Sequence, residues 1–285
     1  MTKERMSIKG KRILITGANT GIGKETAKEL ARLGAHIIMA CRNLEKGEAA
    51  KRELEQESKA KADLLYLDLA SFESIDDFVG EVMKKYRNID ILINNAGVFM
   101  RKKKFTNDGF EMTMGINYFG TVLLIEKLIP LLKKSNSEAR IINLSSGAYY
   151  GGKIKPDMKY LNSKYNFPAY AMSKQALMYY TFELAKRLEK TKITVNAVNP
   201  GHSLTGIFPN DVWYWKIANK ITAKKAIPPL DAAKTSVYAA TSEELNGVSG
   251  VYLENEKITP VKDGIFDSAI QKALIGVTYR AVGLE

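Results

Sequence analysis

Short apolar runs alternate with longer amphipathic segments along most of this chain. The runs span residues 12–16, 36–41, 62–67, 89–93, 140–144 and 193–198, and most of their residues are Ile, Val or Leu. The helix-like stretches between them include 23–33, 44–58, 72–86 and 171–189. Uniformly apolar strands that alternate with helices predict a parallel, doubly wound α/β sheet with helices on both faces. No repeat or Pro/Gly/Ser-rich linker interrupts this order, so we expect a single domain over residues 1–285.

Composition narrows the chemistry that such a domain can perform. The 285 residues include one cysteine and two histidines, so we expect no intrachain disulfide and no protein-held metal site. The polar residues 1–11 lead into an apolar run of only three residues, Ile13-Leu14-Ile15, too short for a signal peptide or a membrane span. We therefore expect a soluble, cytoplasmic protein. Its net charge of +12 suits nucleic acid, anionic lipid or an acidic small molecule, without choosing among them.

A glycine-rich turn follows the first apolar run. Thr16-Gly17-Ala18-Asn19-Thr20-Gly21-Ile22-Gly23 joins that run to a segment rich in Ala, Leu, Glu and Lys. Glycines between a strand and a helix let the backbone approach a pyrophosphate and aim helix amides at it. The context predicts a dinucleotide site and a Rossmann-type fold, with an ordinary glycine turn as the alternative. The Gly-Lys-Ser/Thr ending of an ATP-binding P-loop is missing, which argues against a kinase or ATPase.

The end of the second run bears on the choice of cofactor. An NAD site usually places a carboxylate here, whereas the 2′-phosphate of NADP needs a cation. This run ends at Cys41 and is followed by Arg42 and Asn43, and a guanidinium suits a phosphate. The sequence therefore favours NADP over NAD; the alternative is that Arg42 only faces solvent.

Tyr170 and Lys174 stand four residues apart in a helix-like segment. Positions i and i+4 share one face of a helix, so the phenol and the ammonium are expected to be neighbours. A nearby cation favours the phenolate and makes tyrosine a better acid-base catalyst. The pair gains significance only beside a nicotinamide site, because the spacing is common by chance.

These motifs together resemble the classical short-chain dehydrogenase/reductase family. The matching pieces, in the order typical of the family, are Thr16-Gly17-x-x-x-Gly21-x-Gly23, Asp68-Leu69, Asn94-Asn95-Ala96-Gly97, Asn117, Ser145-Ser146, Tyr170-x-x-x-Lys174 and Pro200-Gly201. Within the family the chain looks most like the retinol-dehydrogenase-like branch, which includes WW-domain-bearing oxidoreductases. The resemblance implies an oxidoreductase that acts on CH–OH donors and transfers hydride between NADP(H), or alternatively NAD(H), and an alcohol or carbonyl.

The resemblance also implies roles for the catalytic residues. Tyr170 would donate the proton in reduction and accept it in oxidation, while Lys174 would lower the pKa of Tyr170 and hold the nicotinamide ribose. Ser146, with Ser145 as the alternative, would hydrogen-bond the substrate oxygen. Asn117 would anchor a water-linked proton relay to the lysine; otherwise it is a polar group that bends a helix.

A larger set is implied for cofactor binding. It comprises Gly17, Asn19, Thr20, Gly21, Ile22, Gly23, Arg42, Asn43, Asp68, Leu69, Asn94, Ala96, Gly97, Tyr170, Lys174, Pro200, Gly201 and Thr205. The family assigns Asp68 to the adenine edge, positions 94, 96 and 97 to the adenosine side, and positions 200, 201 and 205 to the nicotinamide. The structural alternatives are a turn former at Asp68 and a loop cap at Asn94-Asn95.

Substrate choice is expected in a lid over residues 202–228, where Trp213-Tyr214-Trp215 suggests an apolar alcohol or aldehyde such as a retinoid, sterol or lipid aldehyde. Two alternatives stay open: a catalytically silent NADP(H)-binding sensor or scaffold, and a double-bond reductase similar to protochlorophyllide reductase. We expect a helical tail at 264–281 and no specific nucleic-acid partner. Peripheral membrane contact is conceivable. The oligomeric state is expected to be a monomer or a homodimer. In a homodimer the resemblance implies pairing through the helices that carry Asn117 and Tyr170.

Overall fold

The computed structural model describes residues 4–155, 163–201, 227–262 and 266–285. In these residues one eight-stranded sheet has the order β3-β2-β1-β4-β5-β6-β7-β8. Its strands are β1 (Arg12–Thr16), β2 (His36–Cys41), β3 (Ala62–Tyr66), β4 (Ile91–Asn94), β5 (Ala139–Leu144), β6 (Ile193–Asn199), β7 (Tyr252–Glu254) and β8 (Lys257–Ile258). All pairings are parallel except that of β7 with β8. The predicted Rossmann-type α/β class is confirmed.

Helices cover both faces of this sheet. They are α1 (Gly21–Arg32), α2 (Leu44–Ser58), α3 (Phe72–Lys85), α4 (Met112–Leu132), α5 (Asn166–Arg187), α6 (Pro229–Thr241) and α7 (Ser268–Ala281). One apolar cluster includes buried residues of α3, α4 and α5, and the other includes residues of α1, α2 and α6. α4 is long and apolar enough to cross a membrane, but 83% of its apolar window is buried inside the protein. It is the arrangement expected of a core helix.

The strand order reverses between β1 and β4, which are neighbours in the sheet. Parallel strands present their carboxyl ends at one edge, and a crevice opens where the order reverses. The segments that follow β1, β2, β4, β5 and β6 therefore meet at this edge. They carry most of the residues that the sequence singles out.

The predicted limits of the six apolar runs agree with those of β1 to β6 to within two residues. β1, β2 and α2 have the predicted limits, whereas α5 begins at Asn166, five residues before the expected start at 171. The short strands β7 and β8, of three and two residues, were not predicted because they are too short to show a pattern. The predicted lid lies outside the described residues except for 227 and 228. In the predicted tail, α7 is the helix that the structure describes.

α7 lies against the outer sides of α4 and α5 and is fixed by polar contacts. Leu274 of α7 is fully buried, and Thr278 is hydrogen-bonded to Tyr118 of α4 at 2.7 Å. The Thr278 hydroxyl already donates to the Leu274 carbonyl, so the Tyr118 hydroxyl is the donor in this bond. α7 therefore covers the two helices through which, by resemblance, a homodimer would pair.

A single carboxylate, that of Glu126 in α4, joins α5 and α7. It accepts hydrogen bonds from the hydroxyls of Tyr180 (2.8 Å) and Tyr279 (2.7 Å) and from the Arg187 guanidinium (2.6 Å). The Glu126 side chain is 12% exposed. Its loss would leave two phenols and a guanidinium without their shared acceptor.

We predict that Glu126→Ala lowers the free energy of unfolding by about 2–3 kcal/mol, because partly buried donors lose their acceptor. Urea unfolding followed by circular dichroism measures the change. The matched control is Asp76→Ala, which breaks the more exposed 2.7 Å ion pair between Asp76 and Lys127 of α4. The control should cost less than about 1 kcal/mol. Equal losses in the two variants would contradict the stabilising role of Glu126.

Candidate active site

The glycine-rich turn between β1 and α1 is shaped by backbone that only glycine adopts easily. Gly17 and Gly21 have φ of +67° and +55°. Gly23 faces a different constraint, because an added Cβ would overlap the Asn95 side-chain amide and the Gly17 carbonyl oxygen. The first turn of α1 contains no acidic residue, so its free N–H groups are suited to an anion.

Asn95, which the sequence did not single out as a site residue, holds this turn. Its side-chain amide donates to the carbonyls of Thr16 (2.8 Å) and Gly17 (3.3 Å). The next residue, Ala96, donates its N–H to the Thr16 hydroxyl at 2.9 Å. The loop after β4 is thereby fastened to the loop after β1. The signal in the sequence was the second Asn of Asn94-Asn95, because adjacent residues of an extended segment face opposite sides.

The side chain of Asn94 faces the side opposite to that of Asn95. Its side chain is buried and donates to the Asn143 side chain on β5 at 2.8 Å. The side chain of Asn94 therefore lies in the sheet interior rather than at the glycine-rich turn, and the implied cofactor role of this residue stays a prediction. Only its main chain is left for such a contact.

At the ends of β2 and β3 the structure places a cation beside a carboxylate. The Arg42 side chain is 62% exposed, and its guanidinium lies 4.0 Å from the Asp68 carboxylate. Asp68 also accepts from the Ala70 N–H at 3.0 Å, which makes it a turn former as well. Asn43 caps α2 by accepting from the Lys46 N–H at 2.8 Å. The sequence predicted the cation, and the structure adds a carboxylate beside it, which is the group that an NAD site usually places here.

Tyr170 and Ser146 meet at the carboxyl end of β5. Ser146 begins a short 3-10 helix (Gly147–Gly151), and the Tyr170 ring lies edge-on to Phe99 with 5.8 Å between centroids. Burial raises the pKa of Tyr170, and the hydrogen bond to Ser146 opposes this rise. The lowering of this pKa by Lys174 that the resemblance implies stays a prediction. The neighbouring Ser145 is buried, and its hydroxyl has no hydrogen-bond partner within the described residues, so Ser146 is the serine that contacts Tyr170.

Lys174 stands one turn after Tyr170 on α5. Its ammonium lies 5.8 Å from the centre of the Tyr170 ring and donates to the Leu144 carbonyl at 2.7 Å. Burial lowers the pKa of Lys174 to about 8, because the charged form is desolvated. The lysine therefore remains mostly protonated at neutral pH.

Asn117 lies in a π-helical turn, Gly115–Gly120, inside α4. Its side chain is tied to the main chain of Val98 at both ends, accepting from the N–H (2.8 Å) and donating to the carbonyl (2.9 Å). It also donates to Ser173 at 3.1 Å, and Ser173 in turn donates to the Tyr170 carbonyl at 2.8 Å. Ser173 thus connects the helix of Asn117 to that of Tyr170, a link that the sequence analysis did not identify. Its position just before Lys174 was the available signal.

The remaining predicted residues divide into three groups. Gly201 has φ of +79° and, with Pro200, follows β6 at the same edge of the sheet. Leu69 and Ile22 are buried, whereas Asn19 and Thr20 remain accessible in the turn. Thr205 lies outside the described residues.

The residues of this edge fit a dinucleotide. An added Cβ at Gly97 would lie 3.4 Å from the Asn117 side-chain oxygen and 3.6 Å from the Lys174 ammonium, so the loop after β4 passes directly beside the lysine. The same loop is fastened to the glycine-rich turn by Asn95. A cation and the free amides of a helix N-terminus at one edge of the sheet are what a nicotinamide dinucleotide requires.

Comparison with known families identifies the chain. The family model described as short chain dehydrogenase matches residues 11–212. The chain is a short-chain dehydrogenase. This dehydrogenase is 40% identical to human retinol dehydrogenase 13 over 99% of its own length and 87% of the relative's. It is 38% identical to human polyprenol dehydrogenase, covering 95% of this chain and 84% of that protein.

Solved structures share its fold. An uncharacterized protein from Mycobacterium paratuberculosis is 29% identical and superposes with a TM-score of 0.79, covering 99% of this chain and 97% of the other. A Shigella flexneri short chain dehydrogenase, solved with NADP, superposes with a TM-score of 0.68 at 24% identity, over 88% and 99% of the two chains. The dehydrogenase is thus a retinol-dehydrogenase-like oxidoreductase that acts on CH–OH donors, from a family that uses a nicotinamide cofactor.

We predict that Gly23→Ala weakens binding of the nicotinamide cofactor at least tenfold, because the new methyl group displaces the Asn95 amide or the Gly17 carbonyl from the turn. Titrations that follow the fluorescence of the reduced cofactor, with NADPH and with NADH, measure the change. The matched control is Gly80→Ala in α3, where an added Cβ meets nothing within 4 Å. This control should bind the cofactor normally, and equal binding by both variants would show that the close approach at Gly23 is not required.

Proposed function

We propose that this dehydrogenase interconverts apolar alcohols and their carbonyl compounds with NADP(H). The observation that carries the proposal is the contact between Ser146 and Tyr170 with the buried Lys174 one turn away, all at the edge that holds the glycine-rich turn. A protein that only bound the dinucleotide would need the turn but not the serine and the phenol.

The chain's own residues would handle the proton. Bound nicotinamide supplies or accepts the hydride at its C4. The Ser146 hydroxyl binds the substrate oxygen, and the Tyr170 hydroxyl gives its proton to that oxygen in reduction or takes it back in oxidation. The protonated Lys174 favours the phenolate that remains after the transfer. Asn117 and Ser173 hold α4 and α5 in register, so that Tyr170 and Lys174 keep their positions.

Arg42 supports NADP as the cofactor. A guanidinium offers several N–H donors and can bind a phosphate while it also faces the Asp68 carboxylate. The opposing consideration is that this carboxylate would repel a 2′-phosphate and could instead bind a ribose hydroxyl. We propose NADP because Arg42 is the more exposed of the two groups.

An apolar substrate is supported by the relatives and by the surroundings of Tyr170. Retinol and polyprenol, named in two of the relatives, are long isoprenoid alcohols. The Phe99 ring against Tyr170 provides an apolar wall beside the proposed proton donor. Because α7 covers α4 and α5, we propose that the enzyme is a monomer. We also propose that it is cytoplasmic.

We predict that Tyr170→Phe lowers the turnover of an isoprenoid aldehyde by at least about 1000-fold, because the proton donor is lost. NADPH binding should change less than about threefold, since a phenyl ring keeps the packing. The decrease in NADPH absorbance measures turnover across a panel of carbonyl compounds. Tyr165→Phe removes a hydroxyl from a tyrosine that is 50% exposed and is the matched control, with activity unchanged.

The same assay distinguishes the sensor or scaffold alternative. NADPH binding without turnover of any panel member by the unmodified protein would support that alternative and overturn the enzyme proposal. Turnover of conjugated double bonds instead of carbonyl groups would support the double-bond reductase.

We also predict that Arg42→Ala raises KM for NADPH roughly 10- to 100-fold, because a charge-assisted bond to the 2′-phosphate is lost. KM for NADH, which has no 2′-phosphate, should change less than about threefold. The matched control is Arg52→Ala, an exposed arginine on α2, which should leave both values unchanged. A preference for NADH in the unmodified enzyme would reverse the cofactor assignment.

A further inference from the structure

Three largely exposed segments lie next to Tyr170 and Ser146, and we name them the cleft rim: residues 100–105, 147–155 and 163–167. They display Tyr150, Tyr165 and Phe167, whose residues are 44%, 50% and 46% exposed. Single exposed apolar residues are common on protein surfaces, whereas a contiguous group of them marks an interaction site. The cleft rim is therefore a candidate interaction surface.

The three segments form one surface around the catalytic groups. The Asn166 N–H donates to the Met100 carbonyl at 3.2 Å, which joins the first segment to the third. An added Cβ at Gly151 would lie 3.6 Å from the Phe167 ring, so the second segment adjoins the third. Phe167 stands one helical turn before Tyr170, and Ser146 directly precedes the second segment.

The aromatic pair of the third segment is held outward by the backbone. Asn166 between Tyr165 and Phe167 has φ of +61°, a left-handed conformation that asparagine tolerates better than most residues. Its hydrogen bond to Met100 fixes this conformation at the start of α5. The two rings are thus displayed by a defined turn.

The charge of the cleft rim has one sign. It contains six exposed lysines, namely Lys102, Lys103, Lys104, Lys153, Lys155 and Lys164. The three segments contain no Asp or Glu. Lysines interleaved with tyrosine and phenylalanine match the interface of an anionic bilayer, where the rings enter the headgroup layer and the ammonium groups meet phosphate and carboxylate.

We propose that the cleft rim docks the enzyme on an anionic lipid surface, so that an apolar alcohol passes from the bilayer directly to Tyr170. The proposal rests on the apolar substrate class proposed above. The position of the patch favours lipid over RNA, because the patch adjoins Ser146 and Tyr170, which a bilayer-dissolved substrate must reach. RNA stacked on the same rings is the competing occupant and enters the test.

The test is co-sedimentation of the full chain with phosphatidylcholine vesicles that contain or lack phosphatidylserine. Binding to the serine-containing vesicles is expected, with loss at high salt. The triple variant Lys102→Gln, Lys103→Gln, Lys104→Gln should bind them roughly 100-fold more weakly, at about fivefold for each charge. The matched control is Lys59→Gln, Lys61→Gln, Lys84→Gln, which removes three exposed lysines outside the cleft rim and should keep binding within about threefold.

A variant of the apolar part completes the test. Tyr165→Ser should weaken vesicle binding several-fold without changing turnover of a water-soluble aldehyde in the absence of vesicles. Equal vesicle binding by the two triple variants would overturn the proposal. So would no binding to either kind of vesicle at low salt, or stronger binding to a single-stranded RNA than to phosphatidylserine vesicles.

The docking proposal and the apolar-substrate proposal can fail independently of each other. Turnover of an isoprenoid aldehyde in detergent without vesicle binding would refute docking and leave the proposed function standing. Vesicle binding that depends on the cleft rim, with turnover of water-soluble carbonyls alone, would refute the apolar substrate and leave docking standing.

Discussion

The contact between Asn95 and the glycine-rich turn is the constraint on which the site depends. The Asn95 amide binds two successive carbonyls of the turn, at the place where the strand order reverses between β1 and β4. This approach leaves no room for a side chain at Gly23. It ties the proposed cofactor-binding turn to the loop after β4, whose Gly97 faces Lys174. A shift of this contact would therefore move both halves of the site.

A second set of contacts, inside the core, positions Tyr170 and Lys174. α4 departs from α-helical geometry at Gly115–Gly120, and Asn117 within that turn reaches Val98 on one side and Ser173 on the other. Lys174 is buried on α5, and its charge is offset by the Leu144 carbonyl. Burial lowers the pKa of this ammonium to about 8, so its charge is more sensitive to what binds beside it than that of an exposed lysine. The polar groups inside this core hold the catalytic helices in register.

Two parts of the outer surface differ in how far they are covered. α7 closes the face of α4 and α5 through Glu126 and Thr278, which leaves that face covered by the chain's own residues. The cleft rim, by contrast, leaves four aromatic side chains and six lysines in solvent. Part of the net charge of +12 is thereby concentrated in segments next to Ser146 and Tyr170. Some of the excess positive charge seen in the composition therefore lies next to Tyr170.

The sequence by itself determined the fold class, the glycine-rich turn and the Tyr170–Lys174 pair, because apolar periodicity and short-range spacing are local properties. It also indicated Arg42 as the cation after β2. Only the tertiary structure decided that Asn95 rather than the Asn94 side chain supports the turn, that Ser173 connects Asn117 to Tyr170, and that Asp68 lies 4.0 Å from Arg42. It also showed that burial raises the pKa of Tyr170. Each of these depends on which segments distant in the chain become neighbours, and on how much water they exclude, which no local pattern records.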